Sequence, residues 1–129
     1  MGLLLLAGCD RGSHPSNIGK PAAQFVISDA DHTVDLSQLR GHVVLLNLWA
    51  TWCVPCQQEL PSLIALHKQM PNIGIVAISM DSDPALYHQF LTQNHVDFTT
   101  GRDESGRINA IYGTAKIPET YIIDRHGIL

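Results

Sequence analysis

In Trp49-Ala50-Thr51-Trp52-Cys53-Val54-Pro55-Cys56-Gln57-Gln58-Glu59, two cysteines stand three residues apart, directly after the apolar run Val43-Val44-Leu45-Leu46-Asn47-Leu48. The run reads as a buried central strand. A strand that feeds straight into Cys-Val-Pro-Cys places the pair at the start of a helix, with Pro55 in a first turn where its missing N–H has no partner to lose. Free N–H groups and the positive dipole end of a helix favour the thiolate, the reactive form of cysteine. A thiol with a pKa of about 8.5 is roughly 3% ionised near neutrality, and one with a pKa of about 7 roughly half. Cys53, the exposed first cysteine, is therefore the expected nucleophile, and Cys56, one turn further in, the thiol that closes a disulfide. The competing reading is half of a zinc site. It lacks two ligands, since the only other cysteine, Cys9, lies far off in a different context.

Outward from the motif, Leu60, Leu63 and Ile64 give the following helix an apolar face, with Pro61 inside it. Ile73-Gly74-Ile75-Val76-Ala77-Ile78-Ser79-Met80 is a second buried run, so strand, helix and strand predict a βαβ unit. Asp81-Ser82-Asp83-Pro84 reads as cap and first turn of a helix from about Ala85 to Asn94, and capping accounts for both aspartates without a metal. Phe98-Thr99-Thr100 predicts a short strand, and Glu104 to Tyr112 a helix closed by Gly113. His88 and His95, seven apart on the expected helix, could share a face, and without a third ligand they read as a surface pair rather than a copper site. Upstream, Gln24 to Ser28 and Thr33 to Leu36 read as a hairpin, followed by a short helical turn over Ser37 to Gly41. Downstream, Glu119 to Asp124 reads as a strand and Asp124-Arg125-His126-Gly127 as a turn.

The 129 residues suffice for one domain with a core, and a net charge of -4 without a basic cluster argues against nucleic acid as a partner. Three segments are expected: 1–9, a signal-like terminus; 10–21, a flexible tether rich in Gly, Ser, Pro and Asn, in which His14 is solvated; and 22–129, the folded domain.

Asn47 to Cys56, then Glu59-Leu60-Pro61, and later Ile117-Pro118-Glu119-Thr120-Tyr121-Ile122-Ile123-Asp124 resemble the extracytoplasmic TlpA/ResA-like thiol-disulfide oxidoreductases of the thioredoxin superfamily. The resemblance runs from about Ala22 to Leu129. It implies an α/β, thioredoxin-like fold: a central mixed sheet flanked by helices, with an N-terminal β-hairpin and with the family's final strand and helix missing after Leu129. It implies a cis Ile117-Pro118 bond lying against the cysteines, in the one bond type where cis is routine; a trans proline opening an edge strand is the alternative. Trp52, Ile117 and Pro118 are then the substrate-binding residues, the Ile117 backbone pairing with an extended segment. Glu59 matches a glutamate that tunes the cysteines in ResA-like proteins, and its place one turn from Cys56 on the same helix face supports an acid-base role. A solvated first-turn glutamate is the other reading. Asn47, where thioredoxin itself carries a buried aspartate, is read as a satisfied strand asparagine.

Leu6-Ala7-Gly8-Cys9 resembles a bacterial lipoprotein signal, which makes Cys9 a lipidation site and a membrane surface a partner. The apolar run is shorter than an h-region of about 7 to 15 residues and has no basic flank, so a chance apolar terminus stays open. The implied function is an extracytoplasmic enzyme, a monomer without cofactor or metal beyond a redox-active Cys53–Cys56 disulfide. It would reduce disulfides of exported proteins, apocytochrome c being one plausible client, with electrons from a membrane-bound thiol reductant. Alternatives are a copper-handling thioredoxin-fold protein using Cys53, Cys56 and a histidine, a peroxidase, and a non-catalytic binding module.

Overall fold

The computed structural model describes residues 14–29 and 32–129. Four strands form one sheet: β3 (Val43–Trp49), β4 (Ile73–Ser79), β5 (Thr99–Arg102) and β6 (Glu119–Ile123), in the order β5-β4-β3-β6. β3 runs parallel to β4 and β4 to β5, while β6 is antiparallel to β3. β1 (Val26–Ser28) and β2 (Thr33–Asp35) pair as the expected hairpin. The helices are α1 (Val54–Gln69), α2 (Pro84–Gln93) and α3 (Arg107–Tyr112). The sheet is thus mixed, with helices and a hairpin around it, as the resemblance to the thioredoxin superfamily implies.

Strand alternation sorts the core into two halves. Val44, Leu46 and Leu48, with Val76 and Ile78 of β4, share one cluster with the hairpin residues Phe25 and Val34 and with Ile108 and Tyr112 of α3. Trp49, Ile75 and Ala77 share the other with Leu60 and Leu63 of α1 and Tyr87 of α2. Asn47 therefore faces the α1 side, although it sits in an otherwise apolar strand.

The hairpin lies over β5 at Gly101, where a Cβ would come within 2.7 Å of Ile27 Cδ1, 3.2 Å of Val34 Cγ2 and 3.3 Å of Ile78 Cδ1. Gly101→Val should destabilise the chain by ~1–3 kcal/mol through overpacking, read as a lower urea midpoint at unchanged m-value. An unchanged midpoint would mean that the hairpin can lift from the sheet without cost.

Three differences from the sequence reading have physical causes. The part of the expected tether that is described, from His14 to Pro21, packs on the domain. Gly19 N–H donates to the Leu129 carbonyl (2.7 Å) and Leu129 N–H to the Lys20 carbonyl (2.9 Å), while Pro21 bridges Ile128. Polar composition signals the lack of an apolar stripe, and backbone pairing needs none. His14 is half-buried rather than solvated, its ring stacked on Tyr121 (6.2 Å between centroids) and Nε2 3.4 Å from Glu119 Oε1. His95 lies beyond the Asn94 C-cap of α2 with φ 53°, so it shares no helix face with His88. Residues 1–13, including the signal-like segment and Cys9, lie outside the described residues.

Burial also marks the tyrosines. Removal from water pushes the Tyr87 and Tyr121 phenols up to about 12 and raises Tyr112 as well, from an ordinary value of 10.0. A phenol whose pKa is higher folded than unfolded lends stability that is whole below pH 10 and is lost as pH rises toward 12, because the unfolded chain releases the proton first. The denaturation midpoint should fall across that window, with tyrosinate absorbance rising in step with unfolding. Tyrosinate appearing near pH 10 in a chain that stays folded would contradict it.

Candidate active site

β3 ends at Trp49, and the loop Ala50-Thr51-Trp52 carries the chain into Cys53, which caps α1. Cys53 has an extended backbone (φ -86°, ψ 110°), and its Sγ accepts the Cys56 N–H at 3.3 Å, as an N-cap side chain does. Val54 and Pro55 occupy the first helical positions, where a proline removes no helical hydrogen bond. Cys53 and Cys56 form a disulfide with their Cα atoms 5.2 Å apart. One expectation is corrected: Cys53 is not exposed. It is buried, as is Cys56, because in the disulfide form it joins Trp49, Leu60 and Tyr87 in the core cluster beneath Ile117. Its N-cap position, rather than exposure, marks Cys53 as the thiol whose anion the helix end stabilises.

Ile117-Pro118 is a cis bond. The Ile117 carbonyl oxygen lies 3.7 Å from Cys53 Sγ, so a segment 64 residues downstream forms the second wall of the cysteine site. Trp52 and Val54 stand open to solvent beside the pair, giving a disulfide rimmed by exposed apolar surface. The structure thus brings Trp52, Cys53, Cys56, Ile117 and Pro118 into one place.

Glu59 lies one helical turn beyond Cys56 and reaches toward the sheet. Asn47 Nδ2 donates to Thr120 Oγ1 (3.0 Å) and, at 3.5 Å, to Glu59 Oε2; the Thr120 hydroxyl in turn donates to Glu59 Oε1 at 3.4 Å. Asn47 is satisfied, as expected, but its partners include the carboxylate next to the cysteines. Thr120 was not singled out in the sequence. Its place follows from the register that sets Asn47 opposite Thr120 in the antiparallel β3–β6 pair, which no local pattern encodes.

Asp81 departs from its expected role. Asp83 is the cap of α2, accepting from Ala85 N–H and Leu86 N–H. Asp81 is instead a buried carboxylate bonded to Thr51 in the loop before Cys53. Among the described residues no three His, Cys, Asp or Glu side chains are grouped so as to hold a metal ion, and no helix is long and apolar enough to cross a membrane.

The model of the AhpC/TSA family matches residues 18–129. The thiol-disulfide oxidoreductase ResA of Bacillus thuringiensis (strain Al Hakam) is 31% identical over 130 residues, covering 98% of this chain and 75% of the relative. Among solved structures, a thiol:disulfide interchange protein DsbE from Chlorobium tepidum superposes with a TM-score of 0.77 at 32% identity, over 86% of this chain and 80% of that one. A secreted disulfide oxidoreductase of Mycobacterium tuberculosis superposes with a TM-score of 0.75 at 27% identity, over 81% and 78% of the two chains. The chain therefore belongs to the AhpC/TSA family of thioredoxin-fold proteins, among its ResA-like thiol-disulfide oxidoreductases.

Proposed function

We propose that this chain reduces disulfides of exported proteins outside the cytoplasmic membrane, through the Cys53/Cys56 dithiol. The observation that carries this reading is the cysteine pair at the N-terminus of α1, closed as a disulfide and facing the Ile117 carbonyl across 3.7 Å. A thiolate at Cys53 attacks one sulfur of a substrate disulfide, forming a mixed disulfide and releasing the other substrate sulfur as thiolate. Cys56 then attacks Cys53 Sγ. The substrate leaves with both its sulfurs reduced, and the two electrons it gained are balanced by the Cys53–Cys56 disulfide. A membrane-bound thiol reductant returns the pair to the dithiol state.

Trp52 and the Ile117-Pro118 segment bind the substrate chain, the first by apolar contact and the second by its backbone. Glu59, held by Asn47 and Thr120, takes the proton of Cys56 when that thiol becomes the attacking group. Anchoring through Cys9 keeps the domain near its reductant. Apocytochrome c is a client that fits this chemistry.

The test is a redox titration of the full chain in thiol-disulfide buffers, with alkylation scoring Cys53 and Cys56 and with Glu59→Gln in parallel. A single two-electron transition at a reducing potential is expected, and in single-turnover reactions release of the mixed disulfide should be slowed roughly 100-fold in Glu59→Gln, the low end of acid-base contributions. Two thiols that titrate independently, as in an unfolded chain, would end the proposal.

A further inference from the structure

Where the parallel strands end, the loops after β3 and β4 are tied together by a buried acid. Asp81 is only 3% exposed, and its carboxylate accepts three hydrogen bonds: Thr51 N–H at 2.9 Å and the Ser79 hydroxyl on Oδ2, and the Thr51 hydroxyl on Oδ1. Its own N–H donates to Ser79 Oγ at 2.9 Å. The backbone on either side is also pinned. Arg102 Nη1 donates to the Asp81 and Ser82 carbonyls, at 3.1 and 3.4 Å, and Met80 N–H donates to the Trp49 carbonyl at 3.1 Å. Asp81 thus sits on a rigid frame and presents its carboxylate to one loop residue, two positions before Cys53.

That loop has few other anchors. Cys53 N–H donates to the Ala50 carbonyl within the loop at 3.3 Å, and the exposed Gln57 side chain donates to the Thr51 carbonyl at 2.7 Å. Both originate in the loop or in α1 itself, so neither fixes the loop to the sheet as Asp81 does. A carboxylate is suited to the task because it only accepts, and each bond to Thr51 is charge-assisted. An amide at position 81 would keep the shape and set a donor against one of three donors.

We propose that Asp81 is a positioning residue for the thiol-disulfide reaction: through Thr51 it fixes the loop so that Cys53 Sγ stays on the free N–H groups of α1. The inference rests on the proposed function, since it assigns Asp81 a share in a reaction carried by Cys53. When Thr51 is released, Cys53 no longer holds its N-cap geometry. The thiolate then loses donor stabilisation, its pKa rises, and the disulfide gains relative to the dithiol.

The experiment uses the full chain in wild-type, Asp81→Asn, Thr51→Val and Thr51→Ser forms, together with Ile108→Val, a core change in the opposite half of the molecule. Three quantities are read for each: the pH midpoint of Cys53 alkylation in the reduced protein, the equilibrium constant against glutathione, and the melting temperature. Asp81→Asn should move the midpoint up by about half a pH unit or more, roughly a threefold loss of thiolate at neutral pH, and shift the equilibrium toward the disulfide. Thr51→Val, which removes only the hydroxyl, should move both the same way by less. Thr51→Ser, which keeps both donors, should match wild type.

If Asp81→Asn fails to fold, the Thr51→Val and Thr51→Ser pair still decides. Melting temperatures that fall while midpoint and equilibrium stay at wild-type values, the pattern expected of Ile108→Val, would reduce Asp81 to a structural acid. If wild type shows no two-electron couple, the proposed function fails and this inference with it. A wild type that cycles beside variants with unchanged midpoints overturns the inference alone.

Discussion

Cys56→Ser should turn the chain from a catalyst into a trap. With a small disulfide-containing protein such as insulin as substrate, the variant is expected to accumulate a stoichiometric adduct through Cys53, visible on a non-reducing gel and dispersed by dithiothreitol. Cys53→Ser should form no adduct and lose turnover on the order of 10³-fold or more, the scale seen when a nucleophile is deleted. The asymmetry comes from the helix end. Only Cys53 Sγ lies at the N-cap, where it accepts the Cys56 N–H, so only its thiolate is held ready for attack. Exposure does not separate the two sulfurs, since both are buried in the disulfide form. An adduct on Cys56 in the Cys53→Ser variant, with none on Cys53 in Cys56→Ser, would reverse the assignment and leave the N-cap argument without support.

The second large effect concerns the fold that holds the site. Leu46 lies at the middle of β3, between β4 and β6, and has no solvent exposure. Its side chain shares the cluster of Val44, Leu48, Val76, Ile78 and Ile108, so truncation leaves a cavity that neighbours on two strands and a helix cannot jointly fill. Leu46→Ala is expected to cost ~3 kcal/mol, within the range of about 2–5 for buried leucines. Against a typical domain stability of about 5–15 kcal/mol, that is a large share. Urea unfolding followed by circular dichroism would read it as a lower midpoint. A loss under about 1 kcal/mol would show that the sheet repacks around the gap, contrary to the burial observed.

Most of what was legible in the chain is local. The apolar runs at Val43 to Leu48 and Ile73 to Met80 mark the central strands and Cys-Val-Pro-Cys marks the start of α1, because each signal lies within a few residues, whereas the place of Ile117-Pro118 against the cysteines follows only from the family resemblance. The contacts that shape the site are not local. Asn47 meets Thr120 across 73 residues and Asp81 meets Thr51 across 30, so both depend on strand register rather than on any pattern along the chain. Asp-Ser-Asp-Pro fits a helix start at either aspartate, and only the fold shows that Asp83 does the capping while Asp81 turns inward. The stacking of His14 on Tyr121 likewise leaves no trace in a polar stretch. The reactivity the chemistry needs suggests an exposed Cys53, whereas the Ile117 wall covers it in the oxidised form.

The two tryptophans stand at either end of the four-residue stretch that leads into Cys53. Trp49 is closed in by Tyr87 and Phe90, with ring centroids 6.3 and 5.5 Å away, whereas Trp52 is 64% exposed. Their light emission should therefore come from two environments, a shielded indole emitting to the blue and a solvated one emitting to the red. Unfolding shifts the first and leaves the second nearly in place. Opening the Cys53–Cys56 disulfide, which shares a core cluster with Trp49 and adjoins Trp52 in the chain, removes a quencher from both without changing how either is solvated. Loss of the fold then reads as a change of wavelength and a change of oxidation state as a change of intensity, with no label added.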